Sequence, residues 1–176
     1  MRRQSEREKR RYKDRLRVSV SAARFLLNNG LAFRGHDEST CSLKRGLYIE
    51  TIGVIRENND EIFYNTLEKA PRNNQITCPK SQKQIVECFA QEILFSIRKE
   101  VGEDVFGLLV DESSDVSKKE QMTIVLRYVD SLGYVKERFI GVVHVKDTSA
   151  MTLKNAIDEA LTSNEFSFSQ VIFVFL

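Results

Sequence analysis

The 176-residue chain has no tryptophan, two prolines, eight glycines and three cysteines. Cys41, Cys78 and Cys88 are odd in number and show no CxxC spacing, which argues against a disulfide framework or a zinc site and for three reduced thiols. The longest apolar run is the six residues of Val171–Leu176, far below the roughly 20 residues that span a bilayer. The N-terminus is too polar for a signal peptide. These scarcities lead to the expectation of a soluble, non-secreted protein with no membrane partner.

What is present is charge. Charged residues make up 30% of the chain and hydrophobic ones 41%, as in a globular domain of ordinary size with a helical appendage. The net charge of +2 hides an asymmetry, because residues 1–17 carry nine Arg/Lys against three Asp/Glu. A basic arm on a mildly acidic body fits a nucleic-acid contact or a nuclear-targeting signal. The solvated start of a helix fits it equally.

Taken in order, the spacing predicts a helix over 5–29, with Ser5 and Glu8 as a capping box and Tyr12, Leu16, Val20, Ala23 and Leu27 as its inward stripe. Asn28, Asn29 and Gly30 stop it. Arg34, His36, Asp37 and Glu38 crowd the next loop like a small ligand site, although Asp37, Glu38 and Ser39 also suit the capping of a following helix. Leu43, Leu47, Tyr48, Ile52 and Ile55 predict a second helix, and Ile62, Phe63 and Leu67 a short third. Ala70–Lys80 holds both prolines and reads as a loop. A long helix then opens at Ser81 and Gln84, turns Val86, Phe89, Ile93 and Ile97 inward, and ends near Gly102.

From Val105 the period changes to that of strands. Val105–Val110 suits a strand buried on both faces. Ser117–Glu120 is a polar connection whose spacing fits a single capped turn. Thr123–Val129 and Val135–Val145 are rich in β-branched and aromatic residues and flank a four-residue hairpin loop, Asp130–Gly133. Met151–Leu161 is a helix with Leu153, Ile157 and Leu161 on one face, and Val171–Leu176 reads as a buried, parallel-paired strand. His144 and Lys146 read as surface residues. The order strand–strand–strand–helix–strand makes the chain α+β and matches the opening half of a ribonuclease-H-like fold.

Asp111 is the candidate functional residue. It stands where the first strand leaves the core, and a carboxylate there is costly unless it binds something; capping of a loop is the structural alternative. Glu112 follows on the opposite side if the strand continues, and Asp115 belongs to the next loop.

The strings RFLLNNGLAFRGHDEST (Arg24–Thr40), FGLLVDESSDVSKKEQMTIVLRYVD (Phe106–Asp130) and ERFIGVVHVKDTSAMTLKNAID (Glu137–Asp158) resemble the hAT-superfamily transposase-like proteins. Within these they resemble the branch called domain of unknown function 4371, or zinc finger MYM-type protein 1-like, abundant in plant genomes. The resemblance runs from about Arg24 to about Gln170. It implies a basic helical arm over 1–23, the helical region of the transposase-like domain over 24–102, and an incomplete ribonuclease-H-like domain over 103–176.

It also implies that Asp111 matches the first carboxylate of an acidic triad that holds divalent metal, Mg²⁺ or Mn²⁺, for DNA strand cleavage and transfer. Relatives supply the second acid in a segment like YDGASNM, where this sequence reads VIFVFL, and a third as a distant Glu. They also carry an upstream TTF-type or BED-like zinc finger. The expectation is therefore a fragment of a transposase-derived protein: not an enzyme, without a cofactor, with Asp111 as a vestigial metal ligand. The alternative is a domesticated protein–protein interaction or DNA-associated regulatory module. The expected partners are DNA through residues 1–17 and further copies or related transposase-like chains, in the nucleus.

Overall fold

The computed structural model describes residues 6–39, 41–58, 76–114 and 120–175. The chain forms two compact units, Met1–Phe89 and Ala90–Leu176. The expected third helix at Ile62–Leu67, most of the loop at 70–80, the cap at Ser5, and Asp115 lie outside the described residues.

In the first unit, helix α1 (Glu6–Asn28) packs against α2 (Leu47–Glu57). The buried residues of α1 include Val18, Ser19, Ala22, Ala23 and Leu26. Of the expected stripe only Ala23 is buried; Tyr12, Leu16, Val20 and Leu27 are at least one-third exposed. Two apolar stripes overlap on this helix, and the contact goes to the one with small residues, whose backbone can approach α2 closely. Ile85 and Tyr48 join that core, with Phe33 stacked on the Tyr48 ring at 5.5 Å.

Helix α2 begins at Leu47, not at Leu43, which is 99% exposed. The intervening Gly46 has φ 102°, a conformation outside any helix. Helix α3 (Pro79–Val101), by contrast, starts before the expected Ser81, with proline at the first position, where its missing N–H is no loss. Its residues in the first unit bury Gln82 and Ile85, and those in the second bury Ile97 and Val101. The expected Ile93 is 58% exposed.

The second unit is built on strands β1 (Phe106–Ser114), β2 (Glu120–Val129), β3 (Val135–His144) and β4 (Val171–Phe175). Their order is β3-β2-β1-β4, antiparallel except for the parallel β1–β4 pair. The three-strand meander crosses to β4 through helix α4 (Ala150–Ser163). This is the predicted α+β order. Glu120 is already strand, so the turn expected at Ser117–Glu120 does not include it.

Phe106, Leu108 and Val110 of β1 join Met122, Ile124, Leu126 and Tyr128 of β2 in one core. Ile97 and Val101 of α3, and Leu153, Ile157 and Leu161 of α4, complete it. Side chains alternate along a strand, and the opposite face is different. There Leu109, Thr123 and Val125 are half-buried, while Val129, Val135, Phe139 and Val142 are more than half exposed. The expectation that β1 is buried on both faces is thus corrected: among the described residues, helices cover one. Strand β4 is parallel-paired as expected but not buried, since it is an edge strand with Ile172 62% and Phe175 58% exposed.

Candidate functional site

Asp111 lies on β1 directly opposite Thr123 of β2. It is exposed, beside a shallow groove of about 340 Å³ lined by Leu109, Val110, Thr123, Val125 and Phe175. On the same face, Ser113 is the next residue of β1, opposite Gln121. Glu112 pairs with Met122, whose side chain is in the core, so its carboxylate projects from the other face. On the remaining side, β4 places Phe175 beside Leu109. In that register β4 brings no carboxylate toward Asp111 from any described residue.

A divalent ion needs several oxygen ligands, and a two-metal site needs bridging carboxylates. Asp111, Thr123 and Ser113 offer one carboxylate and two hydroxyls. No group of three or more His, Cys, Asp or Glu capable of holding a metal occurs among the described residues. Among the described residues this set has fewer carboxylates than the two-metal site that the resemblance implies for Mg²⁺ or Mn²⁺.

The profile of the ZMYM1/FAM200 RNase-like domain, DUF4371, matches residues 1–172. The chain belongs to this family. The DUF4371 match spans both compact units, and the sheet that carries Asp111 on β1 lies within its RNase-like domain.

The other sequence candidates resolve into local structure. Asp37 accepts from the Ser39 N–H at 2.9 Å and from the Ser39 hydroxyl at 3.0 Å, which hold its carboxyl below the ordinary range. Arg34 pairs with Glu38 at 3.1 Å, and His36 is exposed. These bonds stay within the loop, and the N-cap of α2 is Gly46, with no side-chain capping bond. His144 is exposed, with Nδ1 2.8 Å from the Glu120 carbonyl oxygen, and Lys146 is exposed as predicted. All three cysteines are free and exposed.

A polar cluster at the opposite end of the sheet escapes the sequence reading. The Tyr128 hydroxyl donates to Glu100 at 2.6 Å, and Lys136 bridges Glu100 and Asp130, the latter at 2.9 Å. Asp130 also accepts from the N–H groups of Leu132 and Tyr134, which closes the β2–β3 hairpin. Tyr128 and Lys136 are opposite each other in the hairpin register, so that half of the cluster is readable from sequence. Glu100 arrives from α3, and no local signal announces it.

Hydrogen bonds from Lys136, then from Tyr128, hold Glu100 below its ordinary value of 4.5. Asp130 is lowered first by Lys136, then by the Tyr134 N–H. Both carboxylates are depressed in the fold, so their contribution to stability is present above the unfolded values and is lost as pH falls through the folded ones. Lys136 is raised, chiefly by Glu100, so its contribution disappears only on the alkaline side. Glu100→Gln is expected to lower the urea midpoint at pH 7 and to lose most of that difference by pH 3. A difference of equal size at both pH values would remove charge from the explanation.

Proposed function

We propose that this DUF4371 chain is a non-catalytic module derived from a hAT-type transposase, acting through DNA and protein contacts. The observation that carries the reading is the surroundings of Asp111. Among the described residues Thr123 of β2 stands opposite Asp111 and Phe175 of β4 opposite Leu109, so the one carboxylate on this part of the face is Asp111, where strand-transfer chemistry needs several. Calorimetric titration of the full chain with MgCl₂ and MnCl₂ tests it, with Asp111→Asn in parallel. Neither protein is expected to bind at micromolar concentration. Micromolar binding by the wild type that the variant loses would sink the non-catalytic reading.

Its DNA partner is met by the basic arm of residues 1–17, in the nucleus. Its protein partners are further copies or related transposase-like chains, which meet the open sheet face and the β4 edge. An apolar edge strand is a template for pairing; Phe139, Val142 and Phe175 are exposed on the open face and Ile172 is exposed on the edge strand, apolar surface of the kind that marks interaction sites. The isolated chain is expected to bind a hydrophobic dye and to sediment above monomer mass, and Phe139→Lys to reduce both. A monomer that melts sharply and binds no dye would overturn this part.

A further inference from the structure

The stripe that the spacing turns inward on α1, Tyr12, Leu16, Val20 and Leu27, stands at the surface instead, each residue at least one-third exposed. At about 3.6 residues per turn these side chains share one side of the helix, beside the buried Ser19, Ala22, Ala23 and Leu26. A surface helix ordinarily has one apolar stripe, turned to its core. Here a second one faces water along most of the helix.

The charges beside it keep a register. Lys9 precedes Tyr12, Lys13 precedes Leu16, Arg17 precedes Val20 and Arg24 precedes Leu27, each at the i,i+3 spacing that makes helix side chains neighbours. All of these basic residues are exposed. Lys9 is held by Glu6 at 2.7 Å, and Lys13, Arg17 and Arg24 continue the border along the helix. The stripe is therefore apolar along its centre, basic along one side and closed along the other by the residues that pack on α2.

That asymmetry selects the partner. Tyr12, Leu16 and Val20 form an i,i+4 ridge, the shape that packs into the groove of another helix. Duplex DNA would satisfy the cations and leave the ridge in water. A bilayer suits a stripe with its whole polar face free, and here the fold occupies one border. A second copy of α1 would present the same cations in place of their counter-charge.

We propose that this side of α1 docks an amphipathic helix of another protein, whose apolar side chains lie on Tyr12, Leu16, Val20 and Leu27 and whose carboxylates meet Lys13, Arg17 and Arg24. Apolar anchors at helical spacing supply the affinity of such a contact, and the charged border fixes its register and direction. The inference goes beyond the DNA reading, which draws on residues 1–17. Arg24 lies outside them.

The test is fluorescence polarisation of the full chain with a labelled helical peptide that has leucines at heptad spacing, glutamates flanking them and alanines elsewhere. The wild type is expected to bind at micromolar concentration. Tyr12→Ala and Leu16→Ala should each weaken binding about fivefold or more. Phe25→Ala, at an exposed position on the opposite side of α1, should leave it unchanged. Arg24→Glu should weaken it about tenfold, and a peptide with lysines in place of the glutamates should restore binding to that variant. Circular dichroism on each variant confirms that the helix content is kept.

No binding by the wild type overturns the site. So does equal binding of a peptide whose leucines are replaced by serines, which reduces the contact to charge, or an equal loss in Phe25→Ala. Vesicles of phosphatidylserine that bind the wild type but not Tyr12→Ala, with the peptide inert, would assign the stripe to a lipid surface and overturn the protein partner. A dimer in sedimentation that Tyr12→Ala dissociates would assign it to a second copy, with the same consequence. Absence of duplex DNA binding sinks the DNA reading and leaves this site standing.

Discussion

Gly46→Ala is expected to destabilise the first unit by at least about 3 kcal/mol. Gly46 has φ 102° and ψ 147°, a region that only glycine occupies readily and that costs another residue about 1–3 kcal/mol. A Cβ built there runs into the Gly35 nitrogen and meets the Arg34 carbonyl carbon at 2.8 Å. These are backbone atoms, so relief requires moving the chain. The contact is reciprocal, because a Cβ on Gly35 meets Gly46 N and Lys44 O, both at 2.7 Å. The two glycines thus close the loop that begins with Arg34 and His36, and the Tyr48 N–H bond to Phe33 O at 3.0 Å seals it.

The matched control is Gly53→Ala inside α2. A Cβ there meets nothing within 4 Å, and removing a helix-interior glycine is expected to stabilise by about 0.5–1 kcal/mol. Urea denaturation followed by circular dichroism reads both. Equal and opposite small shifts would mean that the loop adjusts and that the glycine pair is not a clasp.

That pair shows where sequence reasoning reached and where it stopped. The spacing of Arg34, His36, Asp37 and Glu38 suggested a ligand site, but the residues that decide the loop are the glycines around it. Their role depends on contact between positions eleven apart, which no periodicity reports.

The strands were legible for the opposite reason. Thr123–Val129 and Val135–Val145 are rich in β-branched and aromatic residues, a glycine-containing loop joins them, and the pairing is local. Asp111 was legible as the end of an apolar run, and the register places it opposite Thr123. Which face of α1 is buried was not legible, because two apolar stripes compete and α2 selects the one with small residues. The burial of Arg15 was hidden in the same way: in sequence it is one basic residue among nine in the arm, and only the packing of α1 sets it apart.

Phe106→Ala is expected to cost about 3–5 kcal/mol and to remove the support of Asp111 with it. Phe106 is fully buried and meets Phe166 edge to face, with ring centroids 5.6 Å apart. It belongs to the face of β1 that also carries Leu108 and Val110 against the two helices. Truncation leaves a cavity at the start of β1, where the segment after α4 returns to the sheet as β4. Gln170 anchors that return by donating to the carbonyls of Gly102 and Asp104 at 3.0 and 2.9 Å. Loss of Phe106 should therefore loosen β4 before the β2–β3 hairpin, which keeps its own ladder and the Glu100–Lys136–Asp130 cluster. Hydrogen exchange reads that order directly: the amides of β4 should lose protection first. Phe139→Ala, at a position 57% exposed on the open face, should change stability by less than about 1 kcal/mol while weakening self-association. A phenylalanine that holds the fold and one that serves contacts then separate by experiment. If Phe139→Ala were as damaging as Phe106→Ala, the open face would be part of the core, and the interaction surface proposed for it would be withdrawn.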